Sequence, residues 1–379
     1  MSNASSERQR PAGETLDDLR KKIDRINLQL VDLLSERARL AQAIGHLKQR
    51  AGQPIVQPSR ERQVFETVLA HNRGPLTDDQ LRRIFVEIIS ACTAAEQPLR
   101  VAYLGPAHTY SHEAARAHFG TSAGFEPQPS IAAVFQAVEN GRADLGVVPV
   151  ENTSEGSVGL TLDLLIDTPC SIVAEILMPI RHAIMSRAGD PTRIRRILSH
   201  QQSLGQCRNY LATRYPHCAL EAVASNAFAA QQAAADEEVA AICSVSAAEA
   251  YGLVVIETNI QDVAQNTTRF LVLGNRGVAT RDGRMEAGQG ASSTGEKTSL
   301  VFAVPERAGA LHAALGVFAQ EKINLTMIQS RPQRERPWAY TFFVDLQGST
   351  EDERVKRALE ALEQQALFLK VLGSYPEGR

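Results

Sequence analysis

The residues whose types and spacing could do chemistry begin with a set of cations near the N-terminus. Arg20, Arg37 and Lys48 lie on or beside one apolar periodicity, Arg60 opens a second helix beside Glu61, and Cys92 and Glu96 lie further on. Cationic side chains on helices usually keep their heads in water. Arg37, however, stands in the middle of the apolar stripe, where a cation is costly unless paired. Cations converging inside a helical bundle suit a small polyanion such as a dicarboxylate. A second set consists of polar clusters where short apolar strands end: Thr109-Tyr110-Ser111, Glu151-Asn152-Thr153-Ser154, Ser199-His200-Gln201-Gln202-Ser203 and Asn266-Thr267-Thr268-Arg269. Strand ends in open α/β sheets are the usual place for ligand contacts. Taken singly each cluster is weak, because a strand-borne Thr is ordinarily a good β-former and a His there is more often a cap or a surface residue.

The first cations need helices to hold them. Thr15-Leu16-Asp17-Asp18 is a capping-box-like start, and Leu19, Ile23, Ile26, Leu30, Leu33, Leu40, Ile44 and Leu47 follow in steps of four and three, with Arg37 in the one gap. Such a helix, running to about Gln49, is roughly 50 Å long, more than a small domain can cover. A homodimer that packs long helices together is the physical expectation. Gly52-Gln53-Pro54 ends it, a shorter helix runs from about Ser59 to His71, and Thr77 caps a third that carries Leu81, Ile84, Phe85, Ile88, Cys92 and Glu96 on one face.

From Leu99 the texture changes to short apolar strands alternating with helices, as in an α/β domain. Residues 275–296 hold five glycines and scattered charge with little periodicity, and read as a linker. Gly290 to Thr298 superficially suggests a phosphate loop, but Glu296 separates Gly295 from Lys297 and no strand precedes it, so nucleotide binding is discarded. The last stretch reads βαββαβ, a ferredoxin-like order.

Composition narrows the function further. In 379 residues the net charge is −3, with no long basic block, which argues against nucleic acid as a partner. Apolar runs fall short of the ~18 residues of a membrane span and the N-terminus is polar, so a cytoplasmic protein is expected, with no membrane partner. The five cysteines contain no C-x-x-C pair and fit reduced thiols, and neither a metal nor a cofactor is expected.

Leu19-Arg20, Leu34-Ser35-Glu36-Arg37, Lys48, Arg60-Glu61-Arg62 and Ile88 to Cys92 resemble the all-helical chorismate mutases, whose intertwined dimer holds chorismate among helices of both subunits. Gly105-Pro106 with Thr109-Tyr110-Ser111, Pro149 to Thr153, Ser199-His200 and Thr268-Arg269-Phe270 resemble prephenate dehydratase. Its fold is two lobes similar to periplasmic binding proteins. Gly309-Ala310-Leu311-His312 and Gln329-Ser330-Arg331-Pro332 resemble the phenylalanine-binding signatures of ACT domains. The resemblance implies a multidomain chain: a disordered N-terminus (1–14), an all-α chorismate mutase domain (15–97), a two-lobed α/β dehydratase domain (98–274), the linker (275–296) and a ferredoxin-like ACT domain (297–379).

It also implies roles. Arg20 (from the partner chain), Arg37 and Arg60 would hold the carboxylates of chorismate, Lys48 would donate to its ether oxygen, and Glu61 would bind its hydroxyl, with Gln57, Cys92 and Glu96 nearby. Prephenate would meet Thr109, Ser111, Glu151, Asn152, Thr153, Ser199, His200, Gln202, Thr268, Arg269 and Phe270. Thr268 would serve the departing hydroxyl, and Arg269 either a substrate carboxylate or a structural ion pair. Phenylalanine would bind at Gly309, Ala310, Leu311, Ser330, Arg331 and Pro332 and inhibit. Several positions depart from the family pattern: Gln57 for aspartate, Glu96 for glutamine, His108 for glycine, Gln201 for proline, Phe228 for glutamate, His312 for valine and Gln329 for glutamate. A protonated Glu96 can donate to the ether oxygen whereas a carboxylate cannot. Mutase activity is therefore expected to fall as pH rises past neutrality, and Glu96→Gln to flatten the profile. Two rival readings stay open here: a dehydratase whose helical segment is only a dimerisation arm, and a non-catalytic amino-acid sensor.

Overall fold

The computed structural model describes residues 15–51, 58–275, 295–332 and 340–378. The N-terminal segment 1–14, Gln57 and linker residues 276–294 lie outside the described residues. Three helices come first: α1 (Leu16–Ala51), α2 (Pro58–Ala70) and α3 (Asp78–Glu96). At the start of α1, Asp18 N–H donates to Thr15 Oγ1 and Thr15 N–H to Asp18 Oδ2, both at 3.2 Å. Thr77 and Gln80 close the matching capping box on α3. The C-terminal half of α1 packs on α3, where Gln42 Nε2 donates to Ala95 O at 3.3 Å. The apolar stripe of α1 is largely uncovered: Ile23 is 57% exposed, Leu33 62% and Leu47 64%.

The first lobe comprises β1 (Arg100–Leu104), α4 (Tyr110–Phe119), β2 (Gly124–Gln128), α5 (Ile131–Glu139), β3 (Leu145–Asn152), β4 (Gly156–Ser157), α6 (Gly159–Asp167) and β5 (Cys170–Pro179). The second comprises β6 (Ala183–Ser186), β7 (Arg196–His200), α7 (Gln201–Gln206), α8 (Arg208–Arg214), β8 (Ala219–Val223), α9 (Asn226–Ala235), β9 (Val239–Cys243), α10 (Val245–Tyr251) and β10 (Val254–Thr258). Then β11 (Thr267–Asn275) returns to the first lobe and completes its sheet in the order β2-β1-β3-β11-β5, antiparallel to both neighbours, with β4 beside β3. The second sheet runs β10-β6-β9-β7-β8. Parallel pairs within each lobe are joined through helices, as parallel pairing requires.

The C-terminal unit is β12 (Glu296–Ala303), α11 (Ala310–Gln320), β13 (Leu325–Pro332), β14 (Tyr340–Gln347), α12 (Glu353–Glu363) and β15 (Phe368–Pro376), an antiparallel sheet ordered β13-β14-β12-β15. One face packs on α11 and α12. The other shares a core with the first lobe, where Leu271 and Leu273 of β11 meet Val301, Phe343, Leu372 and Tyr375. Among the described residues no helix is long and apolar enough to cross a membrane, and no group of three His, Cys, Asp or Glu could hold a metal ion.

Candidate active sites

The first site forms where α3 crosses the end of α1. Lys48 Nζ and Glu96 Oε1 are 3.9 Å apart, with side chains only 16% and 10% exposed. Glu96 Oε1 has no hydrogen-bond partner among the described residues. Gly45 makes room for this carboxylate, since a Cβ there would lie 2.1 Å from Glu96 Cγ. Glu61, in the first turn of α2, feels Lys48 electrostatically, yet burial outweighs that pull and pushes its carboxyl up to about 7. Arg37 is half-buried, Cys92 is buried, and Arg60 is exposed with Nη1 donating to Gln63 Oε1 at 3.4 Å. Arg20 is not brought to this group. At 1.5 Å per residue it lies roughly 40 Å along α1 from Lys48.

The second site is a line of hydrogen bonds through the connection between the lobes. Asn152, at the end of β3, pairs in register with Thr268 on β11. Asn152 Oδ1 accepts from the backbone N–H groups of Ser154 and Glu155 at 2.9 and 3.2 Å. That orients the amide, so Nδ2 donates to Thr268 Oγ1 and Asn266 Oδ1, both at 2.8 Å. Asn266 in turn donates from Nδ2 to Gln206 Oε1 at 2.9 Å, and the same oxygen lies 2.8 Å from His182 Nε2. His182 is buried, and burial lowers its pKa against the opposing bond to Gln206. The neutral ring therefore carries its proton on Nε2, and Nδ1 lies 2.9 Å from the Tyr110 hydroxyl, which also donates to Arg181 O at 2.9 Å. From Asn152 as far as His182, the proton directions in this line follow from two backbone N–H groups. Its consequence is local: Thr268 Oγ1 accepts from Asn152, and the Thr268 proton is left to be donated elsewhere.

The remaining candidates are distributed around this line rather than gathered on it. Thr153 Oγ1 donates to Gln265 O at 3.2 Å and accepts from Thr267 N–H at 3.0 Å, which ties the connecting segment to β3. Thr109 caps α4, donating to Pro106 O at 3.0 Å, and Ser111 is buried in that helix. In the second lobe Ser199 donates to Ile242 O at 2.6 Å, His200 N–H donates to Asn226 Oδ1 at 3.0 Å, and exposed Gln202 donates through its backbone to His200 Nδ1 at 3.4 Å. Glu151 pairs across the strands with Arg269, and their side chains share a face opposite to that of Asn152 and Thr268. Phe270 is 2% exposed in the core with Tyr103 and Val272, so its ring packs rather than lines a cavity. Arg269 is taken by ion pairs to Glu175 and Asp345 at 2.7 and 2.6 Å. A third carboxylate, that of Glu151, lies 4.0 Å from Arg269 Nη1.

The lobes touch directly. Glu113 of α4 accepts from the Ser244 and Ser246 hydroxyls at the start of α10. His108, where glycine is usual, takes a left-handed φ of 63°, a conformation that favours glycine. Its N–H donates to His112 Nδ1 at 3.0 Å, and its ring meets Tyr251 of the other lobe at 5.7 Å. Gln201 is the first residue of α7, where proline is also well suited. Phe228 is 43% exposed and lines an interlobe cleft with Gly105, Pro127, Ser225 and Tyr251. In the C-terminal unit Gly309 starts α11 with a left-handed φ of 79°, Ala310 is buried and Leu311 half-buried behind it. Ser330 and Pro332 are exposed on edge strand β13, and Arg331 forms a two-pronged bond to Asp163 of α6 at 3.0 and 3.1 Å. Tyr110 and Asn266 fall within the polar clusters that the sequence places at strand ends, whereas His182 and Gln206 carry no such signal.

Three consecutive units carrying a buried Lys–Glu pair, a Thr-centred hydrogen-bond line and a small βαββαβ sheet define a multidomain enzyme with a sensor-like tail. Family models described as chorismate mutase type II, prephenate dehydratase and ACT domain match residues 19–97, 101–278 and 298–364. A bifunctional chorismate mutase/prephenate dehydratase of Aquifex aeolicus is 44% identical over 369 residues, covering 96% of this chain and 98% of that one. Among solved structures, a prephenate dehydratase in complex with L-Phe from Arthrobacter aurescens is 31% identical with a TM-score of 0.66, covering 74% of this chain and 90% of that one. A protein described as a novel type of quorum quenching acylase is 28% identical with a TM-score of 0.64, covering 73% of this chain and 98% of that one. The chain belongs to the family of bifunctional chorismate mutase/prephenate dehydratases. It is an enzyme with two activities, an isomerase and a lyase, which removes the readings of a bare dimerisation arm and of a non-catalytic sensor.

Proposed function

We propose that Lys48 and Glu96 act on chorismate, and that Thr268 delivers the proton that prephenate needs. The Claisen rearrangement of chorismate builds negative charge on the ether oxygen as its C–O bond breaks. Donors fixed there stabilise the transition state more than the ground state. The Lys48 ammonium is such a donor, and Glu96 becomes one when protonated. Arg37 and Arg60 would anchor the carboxylates, and Glu61, which feels Lys48 electrostatically, the hydroxyl.

Arg20 enters this site from a second copy of the chain. The uncovered stripe on α1, with Leu19 at 39% and Leu30 at 51% exposed, supports a homodimer in which the long helices of two chains pack together. Prephenate then loses its ring carboxylate as CO₂ while its ring C–O bond breaks. The departing hydroxide takes the Thr268 proton and leaves as water, while a solvent water returns a proton to Thr268 Oγ1, so the hydroxyl acts as a relay. The single observation that carries Thr268 as donor is the fixed amide of Asn152, which donates to one lone pair of Thr268 Oγ1 and leaves the hydroxyl proton for the substrate.

Phenylalanine is the ligand that best suits the C-terminal unit, at the turn Gly309 to Leu311 and the end of β13, where it would lower dehydratase turnover. The phenylalanine bound in the Arthrobacter aurescens relative supports this. A cytoplasmic setting fits the reduced cysteines. The test is direct: incubate the purified full chain with chorismate and follow prephenate, then phenylpyruvate, with and without phenylalanine. Accumulation of prephenate with no phenylpyruvate would refute the dehydratase half. Turnover of supplied prephenate but not of chorismate would refute the mutase half.

A further inference from the structure

Neighbouring residues of β11 face opposite ways. Thr268 meets Asn152, whereas Arg269 points to the C-terminal unit and is only 8% exposed. Its Nε donates to Glu175 Oε2 at 2.7 Å, Nη2 donates to Tyr375 Oη at 2.9 Å, and Nη1 lies 2.6 Å from Asp345 Oδ2. Lys297 Nζ donates to both oxygens of Glu175 at 2.8 and 3.1 Å, and Ser299 donates to Asp345 Oδ1. Two cations and two anions, none more than 8% exposed, thus form a neutral buried quartet, with the more exposed Glu151 carboxylate at its edge 4.0 Å from Arg269 Nη1. Arg269 and Glu175 come from the dehydratase lobe, and Lys297 and Asp345 from the ACT sheet. Burial alone would raise the Glu175 carboxyl, but Arg269 and Lys297 hold it below its ordinary value.

Such a quartet tolerates little rearrangement, because removing one charge leaves another uncompensated in a dry site. The guanidinium has its directions occupied, so it is a bolt between domains. The bolted residue adjoins the one whose hydroxyl must be aimed.

We propose that Asp345 and Tyr375 of the ACT domain are positioning residues of the dehydratase site: by holding Arg269 they fix β11, and with it the aim of the Thr268 hydroxyl. The ACT domain thereby completes a site to which it contributes no substrate contact. A displacement of its sheet acts on turnover rather than on prephenate binding.

This rests on Thr268 being the donor, and the two claims fail separately. Thr268→Ala with full dehydratase turnover sinks the donor role, whereas the positioning claim is tested in the full-length protein by Asp345→Asn, Asp345→Glu and Tyr375→Phe. Asp345→Asn is expected to lower dehydratase kcat at least tenfold with KM within about twofold and mutase turnover unchanged, and Asp345→Glu to recover much of the loss. Tyr375→Phe keeps all four charges and is expected to lower kcat about threefold, which decides the matter if Asp345→Asn does not fold. Wild-type kcat in either Asp345→Asn or Tyr375→Phe would overturn the proposal. So would a rise in KM at constant kcat, which would return Arg269 to the substrate.

Discussion

Gly45 is the place where one added carbon separates the two activities. It lies inside α1 under the Glu96 side chain, and a Cβ built on it falls 2.1 Å from Glu96 Cγ and 2.7 Å from Cδ. Ordinary carbon contacts are about 3.5–4.0 Å, so in Gly45→Ala the carboxylate moves by on the order of 1.5 Å. The colliding atom is near the root of the side chain, so the tip cannot absorb the shift. Alanine gains about 0.8–1 kcal/mol over glycine in a helix interior, and overpacking costs about 1–3 kcal/mol. Stability thus ends between unchanged and about 2 kcal/mol lower. Activity suffers more: misplacing a reacting group by about 1 Å can cost on the order of 100-fold. Steady-state mutase kcat/KM with chorismate is expected to fall 10- to 100-fold, while dehydratase kcat with supplied prephenate, measured on the same preparation, stays at the wild-type value. Mutase activity within about twofold of wild type would show that Glu96 does not need its present position.

Other expectations follow from the same geometry. Thr268→Ala should cut dehydratase kcat by about 100-fold or more, the usual worth of a positioned proton donor, and Thr268→Ser should retain most of it; equal losses would show that the methyl group matters instead. Arg20→Ala and Lys48→Ala chains, each mutase-dead, should regain about a quarter of wild-type mutase activity when unfolded and refolded together, because one site in each mixed dimer is intact; no recovery would place both residues in one chain's site. Burial holds the Glu61 carboxyl at about 7 against an ordinary 4.5. Between those values the folded chain binds a proton that the unfolded chain does not, so stability declines as pH rises through that window and levels above it. Denaturation midpoints across that range should show a shallower decline in Glu61→Gln, and parallel curves would contradict the assignment.

What could be read from the sequence was what local chemistry decides. Thr15 and Thr77 mark helix starts because a capping box closes within four residues, and both are found closed. The steps of four and three along α1 announce its stripe, and its exposure in a single chain has the same origin. In the ACT unit the alternation of period two and period 3.6 puts each strand and helix within a few residues of its place. What could not be read depends on distant partners. The buried Glu175 interrupts an apolar run, so β5 did not stand out; its partners Arg269 and Lys297 lie 94 and 122 residues away. His182 and Gln206 look like ordinary polar residues until the packed lobes set both against Asn266. Arg269 beside Thr268 suits a carboxylate ligand equally well on paper, and its ion pair with Asp345, far along the chain, depends on the docked ACT sheet.

The return of β11 to the first sheet has a consequence for how the chain reaches its native state. Thr268 and Asn152 are hydrogen-bonded across 116 positions of sequence, and the whole second lobe lies between them. During synthesis the first lobe therefore emerges with a gap between β3 and β5, exposing two strand edges until the intervening lobe has been made. Such long-range pairing is slow and leaves unpaired edges open to aggregation. The second lobe, by contrast, pairs only strands between β6 and β10 and can fold first as a unit. The strand bearing Thr268 is consequently among the last pieces of the dehydratase to be seated, so dehydratase activity should appear on refolding later than the compact signal of the second lobe.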